Sequence, residues 1–293
     1  MSSYLNLVLA GLFHASVLFL VSAGLQLIFG VQRILNLACG AIYALGAYSG
    51  VTATQWALEQ GWPPMLFPLV LIATGLLVGL IGIPLERLLR LISGRPESFQ
   101  LLLTFALLLM LQESLRFGWG GYPQQLGNLS MTYGTLSFGE VAVPVYNLFV
   151  MGVALLMALS LAYFLARTTA GKILRATAEN RDTSAAMGVN VSRVYMLVFT
   201  LGTMLGTVGG ALVVPTAAAS LEMGVELVVE AFAVVVIGGL GSMKGAAVGA
   251  VLVGLIRAAA IAFYPEAETL AIYAIVLAVL IWRPAGLCGK VAD

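Results

Sequence analysis

Apolar runs of about twenty residues recur along the whole chain, and a helix needs ~20 mostly apolar residues to cross the hydrocarbon core of a bilayer. Charged residues make up 9% of the sequence, whereas soluble domains carry roughly 25%. The mean hydropathy of +1.03 agrees with a lipid environment. The sequence therefore predicts an all-α, polytopic membrane protein and excludes a soluble globular one.

Hydropathy windows about nineteen residues wide predict the position of each span. We expect about nine spans, at 5–29, 34–54, 65–90, 98–117, 144–166, 193–214, 225–241, 246–264 and 267–283. The spans at 34–54 and 225–241 are rich in glycine, which is typical of broken or re-entrant helices in transporters. Counts of eight and ten spans therefore stay open.

The basic residues predict the orientation, because cytoplasmic loops of membrane proteins carry an excess of Lys and Arg. Twelve of the 14 Lys and Arg residues fall at alternate connections between the nine spans, and the opposite connections contain none. We therefore expect the N-terminus outside and the C-terminus in the cytoplasm. Residues 1–293 form one membrane domain, and its longest cytoplasmic connection is the loop at 167–193.

Charge and motif content exclude several classes of function. A formal net charge of +1 excludes a polybasic nucleic-acid binder. The two cysteines have neither the spacing of a metal site nor that of a disulfide framework. No stretch has the Gly-rich phosphate loop of an ATPase. We expect no catalytic residue, no metal ligand and no cofactor in this chain.

The loop at 167–193 is longer than a passive link between spans requires. Its composition predicts one surface helix over 175–187, ended by Gly188 in a left-handed conformation, with Ser192 capping the next span. Apolar residues at 185–187 lie beside charged ones, a combination that suits docking into a groove of a cytosolic partner. A solvated amphipathic loop explains the same composition.

Four segments resemble, in the same order, motifs of the branched-chain amino acid ABC transporter permease family. RATAENRDTSAAMG at 175–188 is similar to the EAA-type coupling loop of importer permeases. LNLACGAIYALGAY at 35–48 resembles the N-terminal signature of the family. IGGLGSMKG at 237–245 and WRPAGLCG at 282–289 resemble its two C-terminal motifs. The short lead before the first motif is similar to the LivH-type subunit.

The resemblance implies a set of partners. These are two cytosolic ABC ATPase subunits that bind ATP, a second permease subunit of the LivM type or a second copy of this chain, and a periplasmic substrate-binding protein. The location implied is the bacterial inner membrane. Residues expected to couple this chain to the ATPases are Arg175, Glu179, Asn180, Arg181, Asp182 and Gly188.

Polar and glycine residues inside spans predict a translocation pathway, because ionisable groups in a membrane are paired or face water. The first motif contributes Asn36, Gly40, Tyr43, Gly46 and Tyr48. Gln100 and Thr104 lie four residues apart on one face of the fourth span, and Glu230 and Arg257 lie within the seventh and eighth. Glu230 and Glu113 are the candidate partners of Arg257 in a structural ion pair; alternatively, Arg257 clamps the carboxylate of a substrate.

The chain departs from the family pattern at three positions. The family often has His or Gln at Cys39, Glu at Ala41 and Glu at Arg257. These differences leave the substrate open between branched-chain amino acids and urea, short amides or another small polar solute. Two further classes stay open: a non-transporting membrane scaffold, and an ion-coupled secondary transporter that would use His14, Glu230 and Arg257.

Overall fold

The computed structural model describes residues 2–91, 95–127, 129–138 and 141–289. Long helices dominate these ranges, with one two-stranded antiparallel sheet between two of them. The elements are α1 (Ser2–Gln32), α2 (Cys39–Glu59), α3 (Phe67–Val78), α4 (Gly82–Arg90), α5 (Glu97–Trp119), α6 (Leu129–Thr132), β1 (Thr135–Phe138), β2 (Val141–Pro144), α7 (Val145–Arg167), α8 (Thr169–Glu179), α9 (Arg181–Ala186), α10 (Val191–Val213), α11 (Met223–Gly238), α12 (Met243–Phe263) and α13 (Glu268–Trp282).

Seven helical segments of the described chain are long and apolar enough to cross a membrane. They are Tyr4–Gln32, Pro64–Arg90, Ser98–Trp119, Val145–Arg167, Val191–Val213, Met243–Phe263 and Pro265–Trp282. The two expected spans outside this set are the glycine-rich ones, α2 and α11. At 1.5 Å per residue, the 16 residues of α11 reach only ~24 Å. The multi-pass helical architecture is confirmed, and the count of nine spans stays a prediction.

Helix α10 is the centre of the bundle and packs against α1, α2, α3 and α4. Two of its threonines form hydrogen bonds to the neighbouring helix: Thr203 Oγ1 donates to the Gly79 carbonyl at 2.7 Å, and Thr207 Oγ1 donates to the Gly75 carbonyl at 2.6 Å. Gly79 begins a short 3-10 stretch that joins α3 to α4. The two threonines therefore donate hydrogen bonds to the carbonyls of buried glycines beside the irregular stretch between α3 and α4.

Glycines spaced four residues apart bring these helices into backbone contact, since small residues allow close approach where no hydrophobic effect drives association. A Cβ atom at Gly46 would lie 2.2 Å from the Thr207 carbonyl oxygen, and one at Gly75 would lie 2.6 Å from the Val208 Cα. These glycines therefore pack helices against one another within this subunit.

Helices α2 and α11 meet near their N-termini. A Cβ atom at Gly40 would lie 2.0 Å from the Gly224 carbonyl oxygen. The irregular segment before α11 forms hydrogen bonds to α5 and to the segment that follows α5. Gln112 Nε2 on α5 donates to the Leu221 carbonyl, and Ala219 pairs with Gln124. Parts of this non-helical backbone are thus hydrogen-bonded to other segments of the protein.

The two C-terminal motifs contact each other. Leu287 N donates to the Ile237 carbonyl at 2.8 Å, and Cys288 N donates to the Gly238 carbonyl at 3.0 Å. Gln26 of α1 fixes the same turn by donating to the Gly239 carbonyl at 2.9 Å. The tail therefore holds the C-terminal end of α11 in place.

The bundle has two ends that carry different structural elements. We call the end that carries α8, α9 and the start of α10 the coupling end, and the end that carries β1 and β2 the hairpin end. Thr135 pairs with Pro144 in the hairpin, and the Tyr133 hydroxyl donates to the Pro64 carbonyl at 2.8 Å. Burial raises the pKa of the Tyr133 phenol, which keeps this donor protonated.

Candidate coupling surface and translocation pathway

The loop at the coupling end contains two helices, so the expectation of one helix over 175–187 is wrong. Helix α8 ends at Glu179, and Asn180 adopts an extended conformation with φ −148° and ψ 107°. The Asn180 Oδ1 atom accepts a hydrogen bond from the Thr183 amide at 2.9 Å and caps α9. An asparagine that caps a helix satisfies backbone donors that would otherwise lack partners. The Asn180 side chain therefore divides the segment.

The turn after α9 depends on Gly188, whose φ of +85° confirms the expected left-handed conformation. The Val189 amide donates to the Ser184 carbonyl at 3.1 Å and closes the end of α9. The expectation that Ser192 caps the next span is wrong. Asn190 caps α10 by accepting from the Arg193 amide at 3.1 Å, and the Ser192 hydroxyl is held by Arg90 instead.

All six residues expected to contact the ATPases are exposed at the coupling end: Arg175, Glu179, Asn180, Arg181, Asp182 and Gly188. The apolar group beside them is also exposed, and Met187 reaches 81% exposure. The opposite faces of α8 and α9 are buried through Leu174, Thr177 and Ser184. We call the exposed side of α8, α9 and Met187 the coupling surface.

The coupling surface is connected to the core by short contacts. A Cβ atom at Gly171 would lie 2.2 Å from the Phe164 carbonyl oxygen, so α8 lies directly on the end of α7. The Arg181 guanidinium lies 5.6 Å from the centroid of the Tyr195 ring on α10. Helices α8 and α9 are therefore in direct contact with α7 and with the central helix α10.

A second connection joins α4 to α10 at the same end. Arg90 makes a salt bridge to the buried Glu86 carboxylate and donates from Nη2 to the Ser192 carbonyl at 3.2 Å. Charge-assisted hydrogen bonds of this kind are stronger than neutral ones. The ends of α4 and α10 are thus coupled to each other beside the coupling surface.

The expected pathway residues of the first motif lie inside this subunit. Asn36, Gly40, Tyr43, Gly46 and Tyr48 are all buried. Nearby, between α1 and α10, the structure has a cavity of about 10 Å³ lined by the Asn36 side chain. The Asn36 Nδ2 atom and the Tyr48 hydroxyl are buried without a hydrogen-bond partner in the described chain. In this conformation the first motif packs helices against one another.

Gln100 and Thr104 do not share an environment, although both lie on α5. Thr104 is fully buried, and its Oγ1 donates to the Leu35 carbonyl at 3.1 Å, which ties α5 to the segment before α2. Gln100 donates to the Arg95 carbonyl at 3.1 Å near the start of its own helix. The structure therefore does not bring these two residues together as one polar face.

Glu230 and Arg257 do come together, in a group of four ionisable side chains that we call the charged cluster: His14, Glu230, Arg257 and Glu268. Arg257 Nη1 lies 3.5 Å from Glu230 Oε1, and Arg257 Nε lies 2.5 Å from Glu268 Oε1. His14 Nε2 lies 2.7 Å from Glu230 Oε2, and Arg257 Nη1 lies 2.8 Å from the His14 ring nitrogens.

The interpretation of Glu113 as a partner of Arg257 is wrong. Glu113 pairs with Arg116 on its own helix at 3.8 Å, and both side chains are mostly exposed. Sequence reasoning missed Glu268 as a partner because that residue lies at the outer edge of the predicted span 267–283. The sequence signal for this contact was the short connection between α12 and α13. It brings Glu268, which follows Arg257 by 11 residues, back beside the arginine side chain.

The charged cluster borders a cavity of about 480 Å³ between α1 and α12. Arg257 and His14 line this cavity, together with residues that are mostly apolar: Asn6, Leu7, Ala10, Gly254, Ala258, Ile261 and Ala262. A cavity with few polar groups and mostly apolar walls is typical of a small-molecule site. Among the described residues, no group of three or more His, Cys, Asp or Glu side chains is arranged to hold a metal ion.

Comparison with known proteins places this architecture in a family. Residues 7–281 match the family described as "Branched-chain amino acid transport system / permease component". The chain belongs to this family. The resemblance drawn from the four sequence motifs is thereby confirmed.

Three curated relatives of this permease illustrate the range of the family. The high-affinity branched-chain amino acid transport system permease protein BraD of Pseudomonas aeruginosa is 24% identical over 98% of this chain and 96% of its own length. The corresponding protein LivH of Escherichia coli is 23% identical over 92% of this chain and 91% of its own length. The fructose import permease protein FrcC of Rhizobium meliloti is 27% identical over 75% of this chain and 61% of its own length.

Proposed function

We propose that this permease is one of two membrane subunits of a binding-protein-dependent ABC importer for branched-chain amino acids. Its hairpin end faces the periplasm, its coupling end faces the cytoplasm, and it lies in the bacterial inner membrane. The other permease is a LivM-type subunit or a second copy of this chain. A periplasmic binding protein delivers the substrate, and cytosolic ATPases bind and hydrolyse ATP.

The observation that carries this proposal is the coupling surface. Two short helices expose charged and apolar side chains, while their buried faces rest on α7 and α10. Such an exposed amphipathic helix pair suits a hydrophobic groove on a partner. We expect the residues of the coupling surface to contact the ATPases, whereas ATP is bound by the ATPases alone.

The mechanism is alternating access driven by the ATPase pair. ATP closes the two ATPases and displaces α8 and α9, and the displacement reaches α10 through Gly171, Arg181 and the end of α7. The pathway between the two permeases then opens first outward and then inward. Because α10 contacts α1, α2, α3 and α4 directly, a shift of this one helix changes the packing of most of the bundle.

The test is uptake of labelled leucine into proteoliposomes that contain the permease, its co-purifying subunits and the cognate binding protein. We expect uptake that requires ATP inside and binding protein outside, and that persists with a protonophore. Uptake without ATPase that collapses with the proton gradient would show a secondary transporter instead. ATPase docking without leucine flux would move the substrate to urea, short amides or another small solute.

A further inference from the structure

The charged cluster lies within membrane-spanning segments, where placing a charged side chain costs free energy. Arg257 is six residues before the end of α12, which places it ~9 Å from that end at 1.5 Å per residue. His14 lies ten residues into the span that begins at Tyr4. Charged side chains within spans face a water-filled cavity or the interior of a bundle. The face of α1 and α12 that exposes these groups is therefore turned toward water or protein, away from lipid.

Two atoms of the charged cluster have no hydrogen-bond partner among the described residues. Arg257 uses Nε and Nη1 for Glu268, Glu230 and His14, while its Nη2 amino group makes no such bond. Glu268 uses Oε1, and its Oε2 makes none. Arg257 is 27% exposed and Glu268 29% exposed, so both atoms belong to accessible side chains. Arg257 and Glu268 thus each keep one polar atom that no described residue binds.

We propose that this cavity is a transit subsite for a zwitterionic aliphatic amino acid. The substrate α-carboxylate accepts hydrogen bonds from Arg257, which lines the cavity, and the substrate ammonium lies in the negative field of the Glu230 and Glu268 carboxylates that pair with Arg257. The aliphatic side chain contacts the apolar wall formed by Leu7, Ala10 and Ile261. This inference rests on the proposed function and adds to it the place and the chemistry of substrate contact within the permease.

The charge balance favours a zwitterion over an anion. Glu230 and Glu268 together outnumber Arg257, so the cluster has a net charge of −1 when His14 is neutral. An isolated carboxylate is repelled by that excess, whereas a zwitterion brings its own compensating ammonium. The volume of about 480 Å³ lies within the range of small-molecule pockets.

The test uses a cysteine in the cavity wall as a reporter of occupancy. Ala258→Cys is introduced together with Cys288→Ser, so that the remaining native cysteine, Cys39, is buried. The complex of permeases and ATPases, without binding protein, is placed in nanodiscs and treated with a membrane-impermeant methanethiosulfonate. We expect the cysteine to react, and leucine to slow the reaction about threefold when present at about twice its Kd.

Two single-charge analogues and two control variants sharpen the result. 4-Methylpentanoate lacks the ammonium and 3-methylbutylamine lacks the carboxylate, and neither should protect the cysteine. Arg257→Gln in the same background should abolish protection by leucine. Leu156→Cys, which is 67% exposed on α7, should not react because it faces lipid.

Each outcome of the cysteine-protection and uptake experiments supports or overturns a stated part of the proposal. An unreactive Ala258→Cys, or equal rates with and without leucine, overturns the subsite, and equal protection by either single-charge analogue overturns the zwitterion. Leucine uptake by the same complex with binding protein is measured in parallel. Normal uptake without protection removes the subsite and leaves the proposed importer, whereas absent leucine uptake in the wild-type complex removes the proposed branched-chain amino acid substrate.

Discussion

The packed core around α10 and the coupling surface on α8 and α9 both depend on glycine, but for opposite reasons. At Gly46 a Cβ atom would lie 2.2 Å from the Thr207 carbonyl oxygen, so the helix contact leaves no room for any side chain. At Gly188 a Cβ atom would meet nothing within 4 Å, and the constraint is the backbone φ of +85°. The core is limited by space, and the coupling surface is limited by backbone conformation.

The largest effect is expected in the core, for Gly46→Ala. The added methyl group forces α2 away from α10, and overpacking of this kind costs about 1–3 kcal/mol or more. We expect a lower thermal midpoint and a reduced yield of monodisperse protein in size-exclusion chromatography. Gly206→Ala on α10 is the matched control, because its Cβ would lie 3.7 Å from Ile42 Cγ2. Equal midpoints for the two variants would contradict the close contact at Gly46.

The next effect is expected at the coupling surface, for Gly188→Pro. Proline fixes φ near −65°, which is incompatible with the observed +85° at this turn. We expect normal amounts of folded protein in the membrane and leucine uptake near background. Gly188→Asn should retain most uptake, since asparagine tolerates the left-handed region. Normal uptake by Gly188→Pro would show that this turn has no part in coupling.

A smaller effect is expected from Asn180→Ala, which removes the cap of α9. Loss of an N-cap costs about 1 kcal/mol of helix stability, and such a loss changes an equilibrium about fivefold. We expect a several-fold lower uptake rate with unchanged thermal midpoint. Asn180→Asp keeps the acceptor oxygen and should behave like wild type. A lower midpoint with normal uptake would show that Asn180 contributes to stability and has no part in coupling.

The smallest effect is expected from Thr207→Val, which removes a hydrogen bond between α10 and α3 without changing the side-chain size much. Hydrogen bonds between membrane helices contribute about 0.6 kcal/mol on average. Thr200→Val is the control, because the Thr200 hydroxyl donates within its own helix to Met196 at 2.7 Å. The thermal midpoint should fall slightly for Thr207→Val and not for Thr200→Val. The reverse order would contradict the account of how α3 is held.

Much of the fold follows from the sequence, because apolar length identifies seven of the expected spans. Of the two expected spans outside these seven, α11 has only 16 residues, and α2 contains many small and polar residues that lower its mean hydropathy. His14 bonds Glu230 on a neighbouring helix, as expected of a polar group inside a span, which requires a partner.

The rest was not predictable from the sequence because it depends on tertiary contacts. The contact between the two C-terminal motifs through Leu287 and Ile237 joins segments about fifty residues apart, which no local pattern specifies. Ser192 and Asn190 are both good caps, and only the approach of Arg90 decides between them. The burial of Tyr48 likewise follows from its packing on Trp119 and its neighbours.

The most direct test of the account compares two exposed methionines at opposite ends of the bundle. Met187 is 81% exposed on the coupling surface, and Met65 is 84% exposed near the start of α3. Met187→Glu and Met65→Glu are each purified with their ATPases, and both ATPase retention and ATP-dependent leucine uptake are measured. The account predicts that Met187→Glu loses the ATPases and the uptake while Met65→Glu retains the ATPases. Full retention and normal uptake by Met187→Glu would contradict the claim that ATP drives transport through α8 and α9.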